Sequence, residues 1–274
     1  MSRSFIVFAL YLLAAFPMHG SNYTAQMPDF LIYEGDTLSI FSNPLEANYT
    51  EESRPENFFR GSHCGSTACW RGYIAFWTIE DDILYLTHIK SCCYWEDGVE
   101  ADLTELFGEK YQNEKVKADW FTGEIIAPQG EMIQYQHMGY GSIYEFEKAF
   151  VIENGQLTNI KEYDNREYRY SEYQTNVTLQ REFIFSNIDW DQLPKDKKET
   201  VRFYAFLTLD DNAQIDSVEV AMGDNEAYNA EIERVIKTIP EWTALYRHGE
   251  LIKRGWMILV TIDKKTRKKY QKER

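Results

Sequence analysis

Residues Cys64–Trp95 read CGSTACWRGYIAFWTIEDDILYLTHIKSCCYW. Two runs rich in aromatic and β-branched residues flank the acidic turn Glu80–Asp82, which is the pattern of a β-hairpin. The four cysteines of the chain all lie at the open end of this hairpin. We expect the stretch to form the centre of a β-sheet core around which the rest of the chain is organised.

The composition indicates a folded and acidic protein. Apolar residues make up 44% of the 274 residues, which excludes a disordered chain, and aromatic residues reach 15%, which favours a β-rich fold. The formal net charge is −15. Because nucleic-acid affinity depends on Lys and Arg placed at the phosphates, we expect no nucleic-acid partner.

The segment 264–274 departs from this acidity, with seven basic residues against one glutamate. We interpret it as a solvated basic tail. The alternative is that it contacts an anionic lipid or an acidic surface of a partner.

The N-terminus has the pattern of an export signal. Arg3 is followed by the unbroken apolar run Phe5–Phe16, and the small residues Gly20 and Ser21 come after it. The run is shorter than the ~20 residues that cross a bilayer. Residues 1–21 are therefore predicted to be a cleaved signal peptide, which makes the mature protein periplasmic or secreted and leaves it without a transmembrane span.

An oxidising compartment predicts that Cys64, Cys69, Cys92 and Cys93 form disulfides. A bond between the neighbours Cys92 and Cys93 requires a strained ring, so Cys69 is expected to pair with one of them and Cys64 with the other. The choice depends on a one-residue difference in the hairpin register, which the sequence leaves open.

The same cysteines, together with His63 and His88, form an alternative zinc site. Zinc requires reduced and converging thiolates, and Cys64 and Cys69 are separated by four residues, not by the two of a C-x₂-C pair. Export also disfavours free thiolates. We therefore expect neither a metal nor another cofactor.

Residues 22–163 contain short strands separated by turn residues. Asn154-Gly155 is the clearest hairpin signal and joins a strand at 144–152 to one at 156–163. About eight such strands and few helices predict a β-rich domain, built as an antiparallel sheet or an open barrel. The motifs CWRGYIAFW, ADWFTGEIIAPQG and HMGYGSIYE resemble uncharacterised exported envelope proteins of bacteria. That resemblance implies a β domain and no particular activity.

A small second domain is predicted at 199–263, after a linker with a short helix at 164–198. Two alternating strands, 201–209 and 215–220, precede a helix whose apolar residues share one face. Those residues are Tyr228, Ile232, Val235, Ile236 and Ile239. A last strand at 254–262 completes a ββαβ unit, so the predicted fold class is α+β.

The segments VRFYAFLTLDDNAQIDSVEVAMG, IPEW and YRHGELIKRGWMILVTID resemble the C-terminal domain of the TonB energy-transducer family. The resemblance covers residues 199–263 and implies the fold of that domain and contact with an outer-membrane receptor. The chain departs from the family at Ala213, where a glycine is usual. It also has neither an uncleaved membrane anchor nor a Pro-rich spacer, so the resemblance implies the fold more directly than the transducer function.

The last strand is the predicted binding element. Its residues Trp256, Ile258, Val260 and Ile262 alternate with a second set, and no proline interrupts them. A strand of this kind, when it lies at the edge of a sheet, accepts an extended peptide by main-chain hydrogen bonds. We therefore expect the partner to be an envelope protein or an extended peptide at this edge.

No motif predicts a reaction. The chain contains no nucleophile elbow, P-loop or H-E-x-x-H pattern. We expect a binding or structural module of the cell envelope in preference to an enzyme. The alternative from another class is a hydrolase of envelope glycans, whose sugar cleft would be lined by Trp70, Trp95 or Trp120.

Overall fold

The computed structural model describes residues 25–61, 64–137, 139–194, 200–221 and 225–271. The predicted signal peptide, 1–21, lies outside these ranges. The described part of the chain is β-rich and is built around two large hydrophobic cores, one in each half. No helix within these ranges is long and apolar enough to cross a bilayer.

The first half contributes nine of the described strands and two short helices. The strands are β1 (Asp29–Tyr33), β2 (Asp36–Ile40), β3 (Tyr73–Glu80), β4 (Ile83–Ser91), β5 (Tyr111–Gln112), β6 (Lys115–Lys117), β7 (Gly123–Gln134), β8 (Ile143–Glu153) and β9 (Gln156–Asp164). The helices are α1 (Tyr94–Asp97) and α2 (Leu103–Phe107), and single 3₁₀ turns lie at Glu46–Asn48, Thr67–Cys69 and Gly108–Lys110.

The strands form one sheet in the order β2-β1-β3-β4-β9-β8-β7, with β6 attached to β4 and β5 to β6. The predicted antiparallel arrangement is wrong for one pair, because β1 and β3 are parallel. Strand β3 follows the long connection 41–72 and runs beside β1 in the same direction. A tight hairpin joins only antiparallel strands, so this parallel pair requires a longer connection. The two ends of the sheet meet, since the Phe41 N–H donates to the Ile126 carbonyl at 2.7 Å. This contact gives the sheet a barrel-like closure.

The central hairpin, β3–β4, forms as the sequence predicts. Asp81 and Asp82 have φ angles of 50° and 59°, which matches a two-residue type I′ turn. The register shifts by one residue beside Thr87, where a β-bulge interrupts the ladder between Phe76–His88 and Trp77–Leu86. The bulge is invisible in the sequence, and it determines which residues face each other at the open end.

The predicted hairpin at Asn154-Gly155 is confirmed as well. The φ angles are 50° and 77°, and Glu153 pairs with Gln156 across the turn. A side chain at Gly155 would place its Cβ 2.6 Å from the Ala118 carbonyl oxygen. Glycine is therefore required here by close packing as well as by the turn.

The second half contains four helices and five strands within the described ranges. These are α3 (Glu172–Thr175), α4 (Val177–Asn187), β10 (Thr200–Leu209), β11 (Ile215–Ala221), α5 (Glu226–Ile236), β12 (Tyr246–Arg247), β13 (Glu250–Leu251), β14 (Trp256–Asp263) and α6 (Lys264–Tyr270). Strands β11, β10 and β14 form an antiparallel sheet in that order, and β12 pairs with β13.

Helix α5 packs on this three-stranded sheet. Its predicted apolar face, Tyr228, Ile232, Val235 and Ile236, is buried in the second core. The Asn225 side chain caps the helix by accepting hydrogen bonds from the N–H groups of Ala227 and Tyr228. The elements follow one another as β10-β11-α5-β12-β13-β14, so a short hairpin that was not predicted lies between the helix and the last strand.

Two segments outside the predicted second domain also join its core. Ile184 and Phe185 of α4 are buried there, although the sequence assigned 164–198 to a linker. The segment predicted as a basic tail forms α6, which Asp263 caps by accepting from the Thr266 N–H at 2.7 Å. The Tyr270 ring then packs 5.5 Å from that of Phe185, measured between centroids.

The two halves contact each other through the β12–β13 hairpin. At its turn the Gly249 N–H donates to Asn165 Oδ1 at 3.0 Å, and Asn165 is fully buried at the end of β9. Arg247 donates to the Gly141 carbonyl before β8, and the Tyr170 hydroxyl donates to the Ile133 carbonyl of β7. The second half is therefore held against the large sheet by polar contacts.

Candidate functional site

Strand β14 lies at an edge of the small sheet. It pairs with β10 from Thr200–Asp263 to Leu207–Trp256, and no strand in the described ranges pairs with its other side. Alternate N–H and C=O groups of an edge strand point away from its neighbour and are available to another strand. The eight residues of β14 span roughly 27 Å at the strand rise.

The opposite edge of the same sheet is chemically different. Strand β11 reads IDSVEVA and carries the charged residues Asp216 and Glu219. Between Trp256 and Ile262, β14 carries neither a charge nor a proline. Charged side chains and prolines are the features that keep sheet edges from pairing with other chains. Of the two edges, β14 is the one whose chemistry permits pairing.

The structure separates the β14 side chains into two sets. The predicted residues Ile258, Val260 and Ile262 are buried in the core, and Trp256 is half-buried. They fix the strand in place and are not available to a partner. The alternate residues Met257 and Leu259 are 49% and 48% exposed on the other face. These two side chains are the ones that a neighbouring peptide would contact.

Strand β10 enlarges this exposed apolar surface. Phe206 pairs directly with Met257 across the ladder and is 46% exposed, and Tyr204 pairs with Leu259. Directly opposed residues share a face of the sheet. Sequence reasoning missed Phe206 and Tyr204, although the strand alternation that buries Phe203 and Ala205 places both on the open face.

A groove of about 370 Å³ runs beside this edge, between β14 and helix α4. Val177 and Arg181 line it from the helix, and Met257 and Leu259 line it from the strand. Val177 is 62% exposed, which is unusual for an apolar residue of a helix that packs on a core. We call this the edge groove. It provides an apolar space next to the unpaired side of β14.

A second groove, of about 500 Å³, continues from the first. Arg181 lines both grooves, and the second is also lined by Lys265 and Lys269 of α6 together with Glu182 and Asp263. We call it the basic groove. It lies where β14 ends and α6 begins, so a chain that follows β14 reaches it.

The cysteines form a separate feature at the end of the central hairpin. Cys64 is bonded to Cys93 and Cys69 to Cys92, with Cα–Cα distances of 6.1 Å in both pairs. The predicted disulfides are confirmed, and of the two pairings that the sequence left open the structure has Cys69 with Cys92 and Cys64 with Cys93. Such bonds fit an oxidising compartment.

The tryptophans of the glycan hypothesis differ in their surroundings. Trp70 and Trp95 flank the disulfides and are 72% and 71% exposed. Trp120 is stacked on Phe107, with 5.8 Å between the ring centroids, and its Nε1–H donates to the Pro44 carbonyl at 3.0 Å. The Trp120 side chain therefore packs inside the protein and does not line an open cleft.

A buried ion pair, Asp29–Arg71, joins the first strand to the central hairpin. Asp29 Oδ1 accepts from Arg71 Nη2 at 3.1 Å and from the Ala75 N–H at 3.0 Å, and both charged side chains are fully buried. Burial raises the pKa of Asp29 to about 6, while the Arg71 charge opposes the rise. Its contacts with the Arg71 guanidinium and the Ala75 N–H fix β1 against β3.

Comparison with family models, curated proteins and solved structures finds no match for this chain.

Proposed function

We propose that this chain is an exported binding protein of the cell envelope that takes up an extended peptide along β14. The observation that carries the proposal is the unpaired, uncharged edge of β14 beside an apolar groove. Peptide binding by strand addition uses the main-chain groups of such an edge for affinity and pockets beside it for selectivity. Both are present in this part of the molecule.

Three further features support the proposal. The disulfides fit an exported protein, in agreement with the signal predicted at 1–21. The resemblance of 199–263 to the TonB C-terminal domain points to the same strand. Arg267 and Tyr270 fix α6 to the second core, so the helix that follows β14 is packed and not frayed.

The test uses the mature protein and peptides selected from a random heptapeptide library. We expect selected peptides to carry apolar residues at alternate positions, because Met257 and Leu259 present apolar surface with the strand period. On binding, every second backbone amide between Met257 and Asp263 should exchange more slowly with deuterium.

A pair of matched variants separates the two edges. Leu259→Lys places a charge on the β14 edge and should weaken binding, while Glu219→Lys changes the charge of β11 on the same face and should not. Circular dichroism and thermal unfolding check that both variants fold. Slower exchange in β11, or in no strand of the small sheet, would exclude strand addition at β14.

A further inference from the structure

Helix α6, which lines the basic groove, carries a dense run of basic residues in an otherwise acidic chain. Helix α6 carries Lys264, Lys265, Arg267, Lys268 and Lys269 within seven residues and has no acidic residue. The whole chain has 44 acidic and 29 basic residues. The positive field at α6 is therefore local, and it opposes the net charge of the molecule.

These charges are held together by the fold. The Arg267 guanidinium donates to the carbonyls of Trp190, Leu193 and Pro194 at 2.9, 2.7 and 2.8 Å, which fixes α6 to the second core. Lysines four apart on a helix repel each other, and α6 contains two such pairs, Lys264–Lys268 and Lys265–Lys269. An anionic group bound next to them would lower this repulsion.

The position of the basic groove links it to the edge groove. Arg181 lines both, and Asp263, the last residue of β14, lines the basic groove. Asp263 accepts a hydrogen bond from the Thr266 N–H as the cap of α6, and its negative charge offsets part of the positive charge of the groove. Glu182 is the other acidic side chain there, against three basic ones, and the groove keeps an excess of positive charge.

We infer that the partner is an extended peptide whose apolar segment lies along β14 and whose flanking acidic residues lie in the basic groove. This inference rests on the strand addition proposed above and specifies the chemistry of the peptide. The apolar part contacts Met257 and Leu259, and the carboxylates face Arg181, Lys265 and Lys269. A basic flank would add to the excess of positive charge in this groove.

The experiment uses blocked peptides in which valine and threonine alternate over seven residues. One carries two glutamines at an end, and two others carry two glutamates at the N-terminal or the C-terminal end. Fluorescence anisotropy measures their affinity for the mature protein in 20 mM and 500 mM NaCl. We expect one glutamate peptide to bind about three- to tenfold more tightly than the glutamine peptide at low salt. The advantage should fall at high salt because exposed charges are screened.

Matched variants test whether the preference for the glutamate peptide arises in the basic groove. Lys265→Gln/Lys269→Gln should remove the advantage of the glutamate peptide and leave the glutamine peptide unchanged, while Lys110→Gln in the first half should change neither. Equal binding of all three peptides, with slowed exchange in β14, would overturn the acidic preference and leave strand addition intact. Binding of none would overturn the proposed function itself. A glutamate peptide that binds without protecting β14 amides would overturn the inference, because its acidic flank would then bind independently of the strand.

Discussion

His248 Nδ1 lies 2.9 Å from Oε2 of Glu147, and the same oxygen accepts the His248 backbone N–H at 2.8 Å. His248 is at the turn of the β12–β13 hairpin, and Glu147 is a buried residue of β8. A single carboxylate oxygen in the large sheet therefore holds both a side chain and the backbone of the second half.

This contact predicts that the attachment of the two halves depends on pH. The hydrogen bond that the His248 side chain donates to Glu147 raises the pKa of His248, and burial opposes the rise. A raised pKa means that the stabilisation is complete below the ordinary value of about 6.5 and is lost as the pH rises through the folded value. Burial tends to raise the pKa of Glu147, but hydrogen bonds from His248 outweigh it and lower that pKa, so the contact weakens again in strong acid.

Urea unfolding at pH 6 and pH 8 measures the effect. Because His248 is 44% exposed, we expect the stability to fall by no more than about 1 kcal/mol over this interval. His248→Asn retains a residue that tolerates the positive φ of the turn and should remove this part of the pH dependence. Glu250→Gln, an exposed change in the same hairpin, serves as the control. An unchanged pH profile in His248→Asn would contradict the assignment.

The buried pair Asp29–Arg71 predicts a large loss of stability when one partner is removed. Arg71→Met leaves the buried Asp29 carboxyl without its counter-charge, so that it must take up a proton or remain as an unpaired ion, and should cost about 3–5 kcal/mol in urea unfolding. Asp29→Asn/Arg71→Met should be less destabilised than Arg71→Met alone, since the uncompensated charge is gone. A loss below about 1 kcal/mol for Arg71→Met would show that the pair does not fix β1.

The disulfides predict that the denatured, unreduced mature protein has no free thiol. A thiol reagent should detect no reactive group before reduction and all four cysteines after it. Cys69→Ala/Cys92→Ala should lower the free energy of unfolding by about 2–4 kcal/mol, because the open chain gains entropy when the bond is lost. Reactive thiols in the native, air-oxidised protein would revive the metal hypothesis.

The second core predicts where an independent fragment must begin. Arg169 exchanges backbone hydrogen bonds with Ala244, the Ser171 N–H donates to Thr243 Oγ1, and Tyr173 packs on the core. A fragment 168–274 should therefore unfold cooperatively in urea. A fragment 178–274 lacks these contacts and the Asn176 cap of α4, and should be less stable or unfolded. Equal stability of the two fragments would show that 168–177 is a linker after all.

The contacts of Arg267 predict that lysine cannot replace arginine at this position without a loss of stability. Its guanidinium donates to Trp190, Leu193 and Pro194 carbonyls and to the Tyr228 hydroxyl, a geometry that a lysine ammonium cannot reproduce. Arg267→Lys should cost roughly 1.5–3 kcal/mol in the free energy of unfolding. Lys268→Arg, an exposed substitution one residue away, should change it by less than about 0.5 kcal/mol.

Short-range sequence patterns were sufficient to predict the turns and the helical face whose residues are close together in the chain. The type I′ turns at Asp81-Asp82 and Asn154-Gly155 and the apolar face of α5 all follow from short-range rules. The same rules predicted the short helix that is α4, but not its burial in the second core, and they did not predict α6. The apolar surface of α6 is reduced to Tyr270, so this helix depends on tertiary contacts.

Long-range features were beyond the sequence. The parallel pairing of β1 with β3 depends on the path of the connection 41–72, which has no periodic pattern. The pairing of the disulfides depends on the path of the chain beyond the last ladder pair, Tyr73–Ser91, where no strand pattern continues. For the candidate site, the sequence singled out β14, but the contribution of Phe206 and of the edge groove required the packing of three separate segments.

The nested arrangement of the disulfides has a mechanical consequence. Cys69–Cys92 lies inside the loop that Cys64–Cys93 closes. If the chain is pulled from its ends, the outer bond withholds 29 residues from extension, which shortens the stretched polypeptide by roughly 90 Å. Cleaving the outer bond alone releases only part of that length, because the inner bond still withholds 23 residues. The centre of the large sheet is thus protected twice against tension transmitted along the backbone.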